Sequence, residues 1–318
     1  MALTMQGGVK IPLIGLGTFK DINETELEAT LNKALEMGYR HIDTAAIYDN
    51  EHVIGRVLKE WFTTGKLKRE DVFITTKLSF NKNHPNLIEE ALKESLQKLQ
   101  LDYVDSYLVH FPIYMTGQLG KGNLEPQPTD HLAIWKKMEE QVDAKRARTI
   151  GISNWNMQQI DRLIKNARIK PANTQIELHL YFQQKKLVEF CHKNNIVVVS
   201  YVPLGSTDTG DFTAKTYGRN IILPNVLQEQ VVTKIAEKHK KSAAQVILRY
   251  LIQKDIVVIP KSINPQKLRQ NLQIFDYNLD SEDVKAMEDL DRDMDGLIFH
   301  HGFLNQHVTM HPEYPYKE

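Results

Sequence analysis

The residues best placed to do chemistry are polar side chains that interrupt apolar runs. Asp43 follows "YRHI", Lys77 follows "VFITT" and His110 follows "VDSYLV". Ser153 and Asn154 follow "TIGI", Gln175 lies within "NTQIE", Tyr201 follows "IVVVS" and Lys261 follows "IVVIP". Tyr48 stands in "TAAIYDNE", shortly after Asp43. A phenol with its reference pKa of ~10 is a weak acid near neutrality, and a neighbouring ammonium favours the phenolate and lowers that value. Lys77 can supply the charge. Asp43 can hold the ammonium and offset its desolvation, so Asp43, Lys77 and Tyr48 read as a relay that tunes one proton donor. Each residue taken singly has a bland reading as a satisfied polar group at a strand end. A polar residue at one strand end after another makes coincidence a poor account.

A second subset suits a flat, amide-bearing ligand. Ser153, Asn154 and Gln175 are neutral donors and acceptors that match a carboxamide, and Tyr201 offers a face on which an aromatic ring can stack. A nicotinamide has both features. In "PKSINPQKLRQN", Lys261, Ser262 and Asn264 open a helix whose N-terminus can receive a phosphate, with Lys267 and Arg269 adding charge. By itself that segment reads equally as a solvated, capped helix start. No HExxH, no Cys/His cluster with ligand spacing and no matched carboxylate pair occurs, so neither a metal site nor glycosidase chemistry is expected. His300 and His301 read as pocket-edge or solvated surface.

These residues need a scaffold that brings strand ends together. Residues 2–12 read as a β-hairpin turning at Gly7 and Gly8. Eight short apolar strands follow, at 13–16, 39–42, 72–76, 103–109, 149–152, 173–176, 196–200 and 256–259. Helix-period segments lie between them, among them 24–36, 51–61, 87–99, 131–144, 184–192 and 242–251. Such alternation implies right-handed crossovers and a parallel sheet buried on both faces. Eight units most naturally close into a (β/α)8 TIM barrel, whose strand C-termini converge on one mouth. An open doubly wound sheet is the competitor, but "GLGT" at 15–18 lacks the third glycine of a dinucleotide turn. The stretches 112–130, 204–224 and 291 onward are too long for ordinary connections and read as pocket walls.

Composition sets limits on this reading. With 318 residues, 42% hydrophobic and 25% charged, the chain can bury a large core as one barrel domain. Forty basic and forty acidic residues cancel, which removes the electrostatic case for nucleic acid or an anionic membrane. No leader-like start and no long apolar segment is read, so neither secretion nor membrane insertion is inferred and a cytoplasmic address is expected; the chain is also expected to be a monomer. Cys191 is the single cysteine and reads as a buried, inert thiol.

The full set of motifs resembles the aldo-keto reductase superfamily over nearly the whole chain: "GYRHIDTAAIYDNE", "ITTKL", "LVHFP", "GISNWN", "YVPLGS" and "IPKS". The resemblance implies a catalytic tetrad of Asp43, Tyr48, Lys77 and His110. Hydride would pass from NADPH to a substrate carbonyl, Tyr48 would protonate it, and His110 would orient it. It implies NADPH contacts at Gly17, Thr18, Phe19, Asp43, Ser153, Asn154, Gln175, Tyr201, Leu204, Ser206, Lys261, Ser262, Ile263, Asn264, Lys267, Gln270 and Asn271. Lys267 stands where many members carry Arg, Gln270 where an acidic residue is common, and Val202 where Ser is usual. The first keeps a charge but loses the planar guanidinium fork, which points to weaker cofactor binding.

The implied substrate pocket comprises Phe19, Ile47, Tyr48, Ser79, His110, Phe111 and Phe299. Phe19 and Phe111 replace the Trp of many relatives and Ser79 is small, so a broad apolar pocket for a bulky carbonyl compound is expected. The chain also resembles insect members of the family, 3-dehydroecdysone reductases among them, which implies a steroid ketone beside lipid-derived or aromatic aldehydes. Two other classes compete: a cofactor-binding redox sensor or structural barrel without turnover, and an isomerase or aldolase using Lys77 as a Schiff base.

Overall fold

The computed structural model describes residues 1–19, 23–117, 123–205, 225–299 and 306–316. The chain begins with an antiparallel hairpin of β1 (Ala2–Thr4) and β2 (Lys10–Pro12), with Ala2 opposite Pro12. Gly7 and Gly8 make its turn at φ 82° and 78°, a left-handed backbone that glycine adopts without a Cβ clash.

Eight parallel strands follow: β3 (Leu16–Gly17), β4 (His41–Asp43), β5 (Phe73–Leu78), β6 (Val104–Val109), β9 (Ala147–Ser153), β10 (Asn173–Glu177), β11 (Val197–Tyr201) and β12 (Ile256–Val258). Each pairs with its neighbour in that order. The two ends meet: Ile14 bridges Val258 in parallel, Val258 N–H donates to Leu13 O at 3.0 Å, and Gly15 N–H donates to Val258 O at 2.9 Å. Gly17 N–H then reaches Pro260 O at 3.3 Å. The sheet is therefore a closed barrel without free edges. The seam requires glycine at position 17, since a Cβ there would stand 2.7 Å from Ile259 O.

Helices α1 (Glu24–Met37), α2 (Glu51–Thr63), α3 (Ile88–Leu99), α4 (His131–Asp143), α5 (Met157–Asn166) and α6 (Lys185–Lys193) make the successive crossovers, and α7 (Gln230–His239) and α8 (Ala243–Gln253) make the last. After β12 come α9 (Pro265–Leu272), α10 (Ser281–Glu288) and α11 (Gln306–Met310). Their starts are encoded locally. Asn156 with Gln159, Ser242 with Gln245, and Asp280 with Asp283 form capping boxes that satisfy otherwise orphaned N–H groups. Helix faces repeat at three to four residues, as in Val53, Val57 and Trp61 of α2 or Ile88, Leu92, Leu96 and Leu99 of α3, all buried against one continuous core. Each such side chain contributes roughly 1.5–3 kcal/mol of burial.

Several sequence-based boundaries shift. β5 runs to Leu78, so Lys77 lies inside the strand, and β9 likewise includes Ser153. Pairing with one neighbour extends each strand beyond the apolar run that marks it: Lys77 and Leu78 pair with Leu108 and Val109 of β6, and Ser153 pairs with Gln175 of β10. The stretch 112–130, read as irregular, contains a second hairpin, β7 (Tyr114–Thr116) with β8 (Glu125–Gln127). The sequence reading does not single out α5, α7 and α10, which are only eight to ten residues long. No described helix is long and apolar enough to cross a membrane. Cys191 is fully buried, and burial pushes its thiol up to about 12, consistent with an inert side chain.

Candidate active site

The barrel brings the C-terminal ends of β4, β5 and β6 side by side, and with them Asp43, Lys77 and His110. Tyr48 enters from the short 3-10 turn Ala46–Tyr48 that follows β4. Lys77 is fully buried, and its Nζ donates to Asp43 Oδ1 at 2.5 Å, to Thr44 O at 2.8 Å and to the Tyr48 hydroxyl at 3.5 Å. These three contacts match its three hydrogens. The Tyr48 ring lies 5.7 Å from the His110 ring at 75° and 5.1 Å from the Phe19 ring. Position 110 is pinned through its backbone, since its N–H donates to Leu78 O and its carbonyl accepts from Asn154 Nδ2 at 3.0 Å.

Electrostatics in this cluster are a contest between burial and pairing. Burial pulls Lys77 down, but the charge of Asp43, together with Tyr48 and their hydrogen bonds, outweighs it, raises the group above 10.5 and holds the ammonium. Burial likewise raises Asp43, opposed by Lys77 and by Gln175 Nε2, which donates to Asp43 Oδ2 at 2.7 Å. The Tyr48 phenol is raised above its ordinary 10, because desolvation exceeds the opposing pull of Lys77 and Asp43 adds to the rise. This corrects the expectation of a lowered phenol. Lys77 acts in the anticipated direction but does not win. The same contacts leave Lys77 Nζ without a free lone pair for Schiff-base chemistry.

The neighbouring strand ends carry the second subset. Ser153, Asn154 and Gln175 are all buried, and Asn154 adopts a left-handed backbone at φ 64° just past β9. Asn154 is engaged within the protein: Nδ2 donates to His110 O and to Ser153 Oγ, while Oδ1 accepts from the Tyr201 hydroxyl at 2.6 Å and from Tyr316 at 3.5 Å. Its amide therefore fixes the Tyr201 ring, and a ligand contact would have to share these bonds. The Ser153 hydroxyl hydrogen and the Gln175 carbonyl oxygen complement the C=O and NH2 of a carboxamide. Tyr201 stands 6.0 Å from Phe299, edge to face. The residues present thus fit a carboxamide-bearing ring.

The remaining candidates distribute as follows. Thr18 is buried and both its N–H and its hydroxyl donate to Asp43 O, tying β3 to β4. Leu204 is half-buried against the main core, and Ser206 lies outside the described residues. Lys261, Ile263, Asn264 and Lys267 are exposed after β12, Ser262 and Gln270 are half-exposed, and Asn271 is buried. Asn264 is the N-cap of α9, its Oδ1 accepting from Gln266 and Lys267 N–H groups. The capping and phosphate readings therefore share one helix start. Ser79 is buried at the end of β5. Phe111 is only 3% exposed and packs with Phe80, Ile113, Met115, Leu124, Val308 and Tyr314, with Ile47 against them. Phe111 is thus chiefly a core member of the loop layer. Among the described residues no group of three or more His, Cys, Asp or Glu could hold a metal ion.

Sequence reasoning passed over Glu177. It ends β10 two residues after Gln175, is fully buried, and accepts N–H groups from the C-terminal segment. A charged residue ending the short strand that carries Gln175 was the signal available.

Residues 13–292 match the Aldo/keto reductase family. The chain is 39% identical over 325 residues to aldo-keto reductase family 1 member A1 of Xenopus tropicalis, across 99% of this chain and 97% of that protein. It is 37% identical over 325 residues to prostaglandin F synthase 1 of Bos taurus, with the same coverage. Its fold superposes on the aldose reductase from Schistosoma japonicum with a TM-score of 0.88 and 36% identity, covering 100% of this chain and 99% of that one. These sequence relatives are vertebrate proteins, not insect 3-dehydroecdysone reductases. Eight parallel strands, the motif-bearing strand ends at one mouth and full-length similarity agree: the chain belongs to the aldo/keto reductase family and is an oxidoreductase.

Proposed function

We propose that this chain reduces aldehydes and ketones to alcohols with NADPH, with Tyr48 delivering the proton to the carbonyl oxygen. The observation that carries the reading is the buried Asp43, Lys77 and Tyr48 cluster, with the His110 ring beside the phenol. When bound, NADPH supplies the hydride. Lys77, held as an ammonium by Asp43, stabilises negative charge on the Tyr48 oxygen as its proton leaves. Tyr48 keeps its proton at neutral pH as an ordinary phenol does, and burial raises it further. His110, fixed through its backbone from both neighbouring strands, orients the carbonyl. Ser153 and Gln175 hold the carboxamide, Tyr201 supports the ring, and Lys261, Ser262, Asn264 and Lys267 receive the adenosine phosphate.

The substrate on this reading is a bulky hydrophobic carbonyl compound, because Phe19, Ile47 and Phe299 supply apolar surface around Tyr48 and His110. A steroid ketone such as 3-dehydroecdysone and lipid-derived or aromatic aldehydes are its members. The chain acts as one barrel domain, as a monomer in the cytoplasm.

The test follows NADPH absorbance with a panel of aldehydes and ketones, for wild type and Tyr48→Phe, repeated with NADH. Turnover that prefers NADPH and falls by about 10²–10⁴-fold in Tyr48→Phe is expected. Tight NADPH binding with no turnover on any carbonyl compound would sink the reading in favour of a cofactor-binding sensor.

A further inference from the structure

Glu177 is a fully buried carboxylate at the C-terminal end of β10, outside the Asp43, Lys77 and Tyr48 cluster. Its Oε1 accepts from the N–H of Ile298 at 2.6 Å and faces His179 Nε2 at 3.0 Å, while Oε2 accepts from the N–H of Phe299 at 2.7 Å. Two consecutive backbone N–H groups, one on each oxygen, form a fork that only a carboxylate of this length can accept in full. A buried carboxylate is costly unless donors satisfy it, and charge-assisted bonds of this kind are strong and directional. Here the donors come from a segment 121 and 122 residues away in sequence. The segment they immobilise carries Phe299, which is 7% exposed and stands edge to face against Tyr201 at 6.0 Å. Tyr201 is in turn held by Asn154. Glu177 thus sits at the root of a chain of contacts running from the barrel wall to the ring platform.

We propose that Glu177 is a positioning residue for substrate selection: by clasping the N–H groups of Ile298 and Phe299, it fixes the Phe299 ring against Tyr201 and sets which carbonyl compounds the pocket accepts. The inference rests on the reductase reading for its pocket half, while the clasp itself is independent of it. Glu177→Gln keeps the shape but sets an NH2 group against a donor, so one of the bonds is lost. Phe299 then loses its fixed pose, and large apolar substrates lose a wall that small aldehydes do not reach.

Two readouts decide the matter. Hydrogen exchange at the amides of Ile298 and Phe299 should accelerate on the order of tenfold in Glu177→Gln, the loss of one charge-assisted bond. With NADPH, KM for a bulky ketone should rise more than kcat falls, lowering the bulky-to-small ratio of kcat/KM on the order of tenfold. Phe299→Ala should lower the same ratio, and the double variant should be no worse than the poorer single one, because both act through one ring. Unchanged exchange overturns the clasp. Faster exchange with an unchanged ratio, or additive losses in the double variant, overturns the role in selection and leaves Glu177 merely structural. A wild type that oxidises NADPH with no carbonyl compound overturns the reductase reading and the pocket half with it, and the exchange result still decides the clasp. Should Glu177→Gln not fold, Glu177→Asp, which draws the charge back by one methylene, carries the same expectations.

Discussion

At the residue scale, the candidate site is governed by which of two opposed effects prevails at each titratable group. Tyr48 is raised by burial in spite of Lys77, so on the proposed reading the alkaline fall in kcat should lie above pH 10, where Tyr48 loses its proton. Lys77→Met removes the charge that opposes burial. Tyr48 then rises further and becomes a poorer acid, and kcat should fall on the order of 10²-fold while the barrel stays folded, as rapid-quench rates and circular dichroism would record. Neighbouring Glu51 illustrates the same contest in a structural place. It starts α2, is almost fully buried, and accepts from the Thr76 hydroxyl at 2.6 Å, yet burial raises its pKa above 4.5. A carboxyl raised in the folded state binds a proton that the unfolded chain has already released, so stability falls as pH rises from 4.5 towards the folded value. Glu51→Gln has no such proton to lose. Its melting temperature should drop less than that of wild type between pH 4 and pH 7, and an equal drop would show that Glu51 is not the source.

At the scale of elements, the two ends of the barrel divide their tasks. At the mouth, strand ends present Asp43, Lys77, His110, Asn154 and Gln175. Near the opposite end, Asp105 of β6 joins three strands: it accepts from Ile74 N–H of β5 at 2.9 Å, from Arg69 at 2.8 Å and from Arg148 of β9 at 2.8 Å. Arg148 is largely solvent-screened, so the backbone bond and Arg69 carry most of the effect. Asp105→Ala should lower unfolding free energy by about 2 kcal/mol, read from denaturant midpoints, with kcat per folded molecule preserved. A loss of kcat would mean that strand alignment at the mouth depends on this clamp. The helices show a comparable division. Capping boxes set where α5, α8 and α10 begin, whereas tertiary packing decides that they are helices at all, since α5 is only ten residues long.

On the scale of the whole molecule, a chain with no net charge must bind an anionic cofactor through local charge. Lys261 and Lys267 are both exposed beside the start of α9, where the helix dipole adds to them. Lys267→Glu should weaken NADPH binding on the order of tenfold at low salt, with a smaller effect on NADH and a loss that shrinks as salt rises. Isothermal titration with both nucleotides reads this directly, and equal losses for NADPH and NADH would place the 2′-phosphate elsewhere. The tail is also a whole-molecule feature. Glu313 accepts from Arg162 and Gln159, and Pro315 O accepts from Asn156 Nδ2, so residues 313–316 lie against α5 and reach Asn154 through Tyr316. The site is assembled from both ends of the sequence.

Much of this was written in the linear chain. Strand and helix periods gave the barrel, because a strand buried on both faces must be apolar and a crossover helix must be amphipathic. Polar interruptions then gave Asp43, Lys77, His110, Asn154 and Gln175, because a polar residue at the end of such a strand needs a reason to be there. Tertiary structure decided what depends on distance and burial. The direction in which the Tyr48 phenol moves is not legible in the sequence, since it depends on whether desolvation outweighs a 3.5 Å contact with Lys77, two effects of opposite sign. Phe111 looked like pocket lining until the loop layer closed over it. Glu177 drew no reading from the sequence, because the Ile298 and Phe299 N–H groups that it accepts lie more than a hundred residues away. Periodicity is a local property that the chain carries wherever it goes, whereas the partner of a buried charge exists only once the barrel has closed.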